Sequence, residues 1–139
     1  MIAVIDIDGV LADASHRQHH LDKRPRDWAA FFAEVGADAP IERGRARLTS
    51  LSDDDHTIVL LSGRPESTRA DTQDWLVRQG IPVSEVILRS DRDRRKAADF
   101  KAEAIGAIGM PDEVAVVIDD DLAVVERLAG LGYRVEHFR

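Results

Sequence analysis

The sequence predicts a single α/β domain over residues 1–139, a three-layer sandwich with a mainly parallel sheet between two layers of helices. Apolar runs rich in β-branched residues alternate with helical stretches along the whole chain. Three of those runs are continuous, the mark of strands buried on both faces, as parallel sheets are. No repeat, low-complexity tract or linker divides the 139 residues, a length that suits one domain.

The elements follow in order. "IAVI" (Ile2–Ile5) predicts the first strand. Residues 27–35 predict a short helix opening on Asp27, whose carboxylate suits the free N–H groups of a first turn. Residues 41–51 bring Ile41, Ala46, Leu48 and Leu51 toward one side, which predicts a second helix. A strand over 57–61 is followed by a helix over 65–79, with Pro65 in an early turn and Gly80 just past its end. Residues 83–88 predict a strand, 99–108 a helix, and 114–118 another β-branched strand. Asp121 is placed to cap a helix over 122–131 that Gly132 closes, and 133–137 predict the last strand. Alternating strands and helices imply right-handed βαβ units. In such folds ligands bind beyond the carboxyl ends of the strands, so the chemistry is sought there.

Composition excludes several classes. With 44% hydrophobic and 32% charged residues the chain is globular rather than disordered. No apolar run approaches the roughly 20 residues of a membrane span. "MIAVID" lacks the basic and long apolar regions of a signal peptide, so a cytoplasmic protein is expected. The absence of cysteine excludes disulfides, thiol catalysis and zinc–thiolate sites. A net charge of −7 argues against indiscriminate binding to nucleic acid or membrane, although a local basic patch can override it.

The first strand ends in Asp6 and Asp8, and residues two apart in an extended chain share a side. Uncompensated carboxylates beside a sheet are costly and normally recruit a cation or share protons. After the fourth strand come Asp119, Asp120 and Asp121. If the two strands are neighbours, an oxygen-rich site forms that suits Mg²⁺. After the second strand comes "LLSGRP", where Ser62 and Gly63 offer donors to a phosphoryl oxygen.

"DIDGV", "LLSGR", a lysine on a later helix and "VIDDD" resemble, in order and spacing, the four motifs of the haloacid dehalogenase (HAD) superfamily. The resemblance covers nearly the whole chain. It implies a Rossmann-like HAD core and an Mg²⁺-dependent phosphatase. By it, Asp6 is the nucleophile that forms an aspartyl-phosphate. Asp8 is the general acid and then base, and Ser62 binds the phosphoryl group. Mg²⁺ is held by the Asp6 carboxylate, the Asp8 main-chain carbonyl and the Asp119–Asp120 pair. Asp120 is expected to bind directly, Asp119 directly or through water. For the lysine, Lys101 within the helix is preferred to Lys96 in the basic run before it. Val10 departs from the Thr often found in this loop.

HAD phosphatases choose substrates mainly through cap insertions, and this chain has room for none. Residues 13–39 hold one helix at most, and 65–95 are consumed by a core helix and strand. Capless members act on large substrates. Arg17, Gly63 and Arg64 are the substrate-binding candidates, the two arginines as bidentate phosphate ligands. "LRSDRDRRK" (residues 88–96) predicts a cationic loop on the same edge, partly cancelled by Asp91 and Asp93. With Lys101 and Asp119–Asp120, these arginines resemble the 3′-phosphatase domain of phage-type polynucleotide kinase-phosphatases. No GxxxxGK[ST] loop is present, so no kinase activity is expected. The expected substrate is therefore a polynucleotide 3′-phosphate or a nucleotide. A small-molecule phosphatase, a phosphoprotein phosphatase and a non-catalytic binding module stand as alternatives. His16, His19 and His20 fit loop or substrate-contact roles better than a metal site. Trp28, Phe31 and Phe32 fit as anchors of their helix, one of them as a base-stacking surface.

Overall fold

The computed structural model describes residues 1–139. Five parallel strands form one sheet: β1 (Ile2–Ile5), β4 (Thr57–Pro65), β5 (Glu85–Arg89), β6 (Val114–Asp119) and β7 (Val135–His137). Their order is β5-β4-β1-β6-β7, so the chain winds outward from β1 in one direction and then in the other. That reversal opens a crevice at the carboxyl ends of β1, β4 and β6.

Side-chain alternation along the strands builds two cores. Ala3, Ile5, Ile58, Leu60, Val116 and Ile118 face one layer, formed by α2 (Glu42–Asp53) and α3 (Arg69–Arg78). Val4, Leu61 and Val117 face the other, formed by α4 (Ala97–Ile108) and α5 (Leu122–Gly130). This is the predicted three-layer α/β sandwich. Asp121 caps α5, accepting from Ala123 N at 2.9 Å, and Asp27 caps the short α1 (Trp28–Ala33), accepting from Ala30 N at 3.0 Å.

The boundaries differ where backbone chemistry decides them. β4 continues through Ser62 to Pro65, four residues past the predicted strand. The residue before a proline is biased to extended conformations, and Pro65 itself has ψ 153°. Helix α3 therefore starts only at Arg69, after a 3₁₀ turn at Glu66–Thr68. β5 begins at Glu85 rather than Val83. Residues 13–39 form no separately folded cap. A small antiparallel ladder, β2 (Ala12–Asp13) against β3 (Ala39–Pro40), closes their base. It holds α1 and two 3₁₀ segments, Ser15–Leu21 and Val35–Ala37. No helix is long and apolar enough to cross a membrane.

Candidate active site

The loop after β1 is wound tightly around one carbonyl. Val10 N, Leu11 N and Ala12 N all donate to Ile7 O, at 3.2, 2.8 and 3.0 Å. Asp6 is thereby fixed at the sheet edge, its N–H on Ile118 O (3.0 Å) and its Oδ1 accepting from Ile7 N (2.8 Å). Gly9 turns the chain at φ +83°, and a Cβ there would collide with the Asp120 carboxylate. Glycine is needed twice over, for the left-handed backbone and for the approach of the loop after β6. Gly9→Ala is expected to cost about 1 kcal/mol of backbone strain and to displace Asp120. Turnover should fall far more, on the order of 100-fold. Steady-state kinetics beside urea unfolding of the same variant checks both.

Around this loop the carboxylates converge. Single oxygens of Asp6, Asp119 and Asp120 lie within 4.8 Å of one another. Lys101 reaches them from the second turn of α4, donating from Nζ to Asp119 Oδ2 (2.6 Å) and lying 3.1 Å from Asp6 Oδ1. Burial opposes a charge on this lysine, but Asp6 and Asp119 outweigh it and raise its pKa. One cation does not satisfy this cluster. Burial pushes Asp6 well above the ordinary carboxylate range, and Asp119, Asp8 and Asp120 add to the rise against Lys101. Burial raises Asp120 as well. Hard, crowded oxygens short of positive charge are the donor set of a divalent cation.

Asp8 lives in a different environment. Arg64 forks onto it, Nη2 at 2.8 Å from Oδ1 and Nε at 3.2 Å from Oδ2, and Arg17 Nη2 donates to Oδ1 at 2.8 Å. Burial works against its charge, but hydrogen bonds and the charge of Arg64, then Arg17, hold Asp8 below the usual range. Behind both arginines lies Asp38, buried in the core of the insertion. It accepts from Arg17 Nε (2.9 Å) and Nη2 (2.8 Å) and from Arg64 Nη2 (3.0 Å). His16 Nε2 lies 2.6 Å from its Oδ1. Trp75 Nε1 donates to the Asp38 main-chain carbonyl at 2.7 Å, tying the insertion to α3.

The crevice above these groups is open, with a volume of about 1180 Å³. Ser62 and Gly63 form its floor; Ser62 Oγ accepts from Arg64 N (3.1 Å), which leaves its own proton to donate. Trp28 and Phe32, stacked at 5.9 Å, also line it, as do Arg89 at the end of β5 and Arg94 and Arg95 in the loop after it. Within that loop Arg95 is paired with Asp93 (2.7 Å) and Glu103 (2.6 Å), which trims its cationic character.

The structure thus gathers Asp6, Asp8, Ser62, Gly63, Arg64, Lys101, Asp119 and Asp120 on one crevice. Lys96 is exposed at the start of α4 and away from it. Arg17 and Arg64, expected to bind a substrate phosphate, are both buried and paired with Asp8 and Asp38, and Arg64 also lines the crevice. Asp38 escaped the sequence reading, since "GADAPI" follows no main-sheet strand and the β2–β3 ladder, with the Trp75 hydrogen bond, brings it under the site. Arg89, at the end of β5, sat unremarked within the basic run.

The chain matches the family described as "Polynucleotide kinase PNKP phosphatase domain" over residues 1–137. Among solved structures it is similar to a chain of the Pnkp1/Rnl/Hen1 complex, with a TM-score of 0.81 at 20% identity. That match covers 98% of this chain and 45% of the other, so the protein described here spans less than half of that relative. It is also similar to the class C acid phosphatase of Bacillus anthracis with tungstate bound (TM-score 0.69, 16% identity, 99% and 65% covered). A HAD family enzyme from Bacteroides thetaiotaomicron, in complex with magnesium and inorganic phosphate, matches with a TM-score of 0.60 at 13% identity, covering 97% and 92%. No curated protein sequence matches. These structural likenesses establish the fold, and the family match runs over almost every residue: the chain belongs to the polynucleotide kinase PNKP phosphatase domain family of HAD-type phosphatases.

Proposed function

We propose that this domain hydrolyses the 3′-phosphate of polynucleotide ends through an aspartyl-phosphate on Asp6. The carrying observation is the shape of the crevice. It is open, has no folded lid, and is lined by the aromatic rings of Trp28 and Phe32 and by a loop bearing several arginines. Base faces stack on aromatic side chains and backbones follow cationic ones. A small sugar phosphate would leave most of this volume filled with water.

In this proposal the Asp6 carboxylate attacks phosphorus and the terminal ribose oxygen leaves with a proton from Asp8. Its arginines hold Asp8 ionised beforehand, and it takes that proton from solvent as the anionic phosphate binds beside it. Asp8 then takes a proton from water as that water attacks the aspartyl-phosphate, releasing inorganic phosphate and restoring Asp6. Ser62 Oγ and Lys101 Nζ steady the phosphoryl oxygens. Arg17 and Arg64 act on Asp8, fixing which way its carboxylate points. The crowded carboxylates of Asp6, Asp119 and Asp120, with the Asp8 main-chain carbonyl, fit Mg²⁺ as its ligands. Bound there, Mg²⁺ would neutralise enough negative charge for a carboxylate to meet a phosphate dianion. The similar B. thetaiotaomicron enzyme holds magnesium and phosphate together, which supports the same pairing.

The test compares kcat/KM, with Mg²⁺, for an oligonucleotide 3′-phosphate, its 5′-phosphate, a nucleoside 3′-monophosphate and a sugar phosphate. The 3′-phosphorylated oligonucleotide is expected to be turned over best, and Trp28→Ala to raise its KM by about tenfold, the scale of one base stack. Preference for the sugar phosphate would overturn the proposal in favour of a small-molecule phosphatase. The resemblance to a chain of the Pnkp1/Rnl/Hen1 RNA repair complex makes RNA ends the first substrates to try.

A further inference from the structure

Of the arginines that line the crevice, one is held in place without being neutralised. Arg64 is paired with Asp8 and Asp38, and Arg95 with Asp93 and Glu103. Arg94 is exposed, with nothing fixing its position. Arg89 differs from all three. Its guanidinium lies over the Phe100 ring at 5.1 Å, and its Nη1 donates to Arg95 O at 2.9 Å. Those contacts orient it, yet no carboxylate pairs with it. Its Nε hydrogen is buried without an acceptor, and Nη2 makes no hydrogen bond within the protein. Arg89 lines the crevice, and a positioned guanidinium with Nη2 left to donate there is a site for an oxyanion.

The sheet says which oxyanion. Arg89 ends β5, one strand beyond the Ser62–Gly63 segment of β4 and two strands from Asp6 on β1. Neighbouring strands are about 4.8 Å apart, so Arg89 is rooted on the order of 10 Å from the nucleophile along the sheet edge. The group attacked by Asp6 already has Ser62 and Lys101 beside it. The Arg89 fork stands on the far side of Gly63, where a Cβ would come within 3.3 Å of Nη2. Glycine there lets the Arg89 guanidinium pack closely against β4. We infer that Arg89 anchors the internucleotide phosphodiester adjacent to the reacting 3′-phosphate, and so makes the enzyme select a chain end over a mononucleotide. This inference rests on the polynucleotide reading of the site.

The experiment uses a dinucleotide 3′-phosphate, the same dinucleotide with an uncharged methylphosphonate linkage, and a nucleoside 3′-monophosphate. Wild-type enzyme should prefer the charged dinucleotide over the mononucleotide by about tenfold or more, the scale of one charge-assisted contact. Arg89→Gln should reduce that preference about tenfold, chiefly through KM, and Arg89→Lys should restore part of it. The methylphosphonate should lower wild-type activity as Arg89→Gln does, and the two changes together should cost no more than one. Equal losses by Arg89→Gln on dinucleotide and mononucleotide would overturn the inference, as would additive effects of variant and methylphosphonate. Hydrolysis of neither nucleic-acid substrate by the wild type, with p-nitrophenyl phosphate still cleaved, would remove the polynucleotide reading itself before any variant is compared.

Discussion

Asp6→Asn will abolish Mg²⁺-dependent hydrolysis of p-nitrophenyl phosphate, by on the order of 10⁴-fold or more, while leaving the protein folded. No neighbour can take over the attack. Asp8 is clamped by two guanidiniums, and Asp119 is committed to Lys101 Nζ and to the N–H of Asp121 at 2.9 Å. The stability side has its own sign. Burial, with three acidic neighbours, holds the Asp6 pKa well above its ordinary value. The unfolded chain releases that proton in the usual carboxylate range and the folded chain does not. Native stability contributed by this group therefore declines as pH rises from that range toward the raised folded pKa. Asparagine keeps the shape and removes the charge. In metal-free buffer near neutrality the variant is expected to melt no lower than wild type, and the rise in Tm on adding Mg²⁺ should shrink. Thermal unfolding with and without Mg²⁺, beside the kinetics, reads both. Full-rate turnover by Asp6→Asn would leave the aspartyl-phosphate without a carrier.

The fold was legible because its strands are written without ambiguity. "IAVI" and "VAVVI" admit no amphipathic helix, and burial on both faces follows once they lie side by side. Their neighbourhood then explains why Asp6 and the Asp119–Asp120 pair, more than a hundred residues away in sequence, meet at one edge. Lys101 was legible for the same reason, since a lysine one turn into α4 is carried to that edge by its helix. What escaped depended on contacts that no period encodes. The two-residue ladder β2–β3 is too short to leave a pattern, yet with the Trp75 hydrogen bond it delivers Asp38. Arg17 and Arg64 were found as residues but not as geometry. Their pairing with Asp38 could not be read, because nothing in the sequence marks Asp38 as a buried carboxylate. Arg89 illustrates the converse: within "LRSDRDRRK" nothing distinguishes the fixed, unneutralised guanidinium from its solvated neighbours.

Asp38→Ala should destabilise the domain by about 3–5 kcal/mol, the cost of stranding buried charge. The Asp38 side chain is fully buried and is the shared partner of Arg17 and Arg64, both of them equally hidden. Without it two guanidiniums face one remaining carboxylate, that of Asp8, and a net positive charge stays inside the insertion. Urea unfolding should show a lower midpoint with little change in slope, whereas Asp53→Ala on the exposed face of α2 should stay within about 0.5 kcal/mol of wild type. An unchanged midpoint for Asp38→Ala would mean that water or rearrangement reaches these arginines freely. Stability is a poor reason for such a cluster to exist, because apolar side chains of similar volume often hold a core as well as a buried ion network. What apolar side chains cannot do is aim a carboxylate. Arg17 and Arg64 each touch Asp38 on one side and Asp8 on the other, so the orientation of Asp8 is set from beneath by Asp38. Asp38→Asn, which keeps the shape but halves the charge balance, is therefore expected to lower kcat for the oligonucleotide 3′-phosphate by on the order of 100-fold. KM should change little. The loss should be smaller for p-nitrophenyl phosphate, whose leaving group needs the least help from the Asp8 proton. Equal losses on both esters would assign Asp38 to the fold alone.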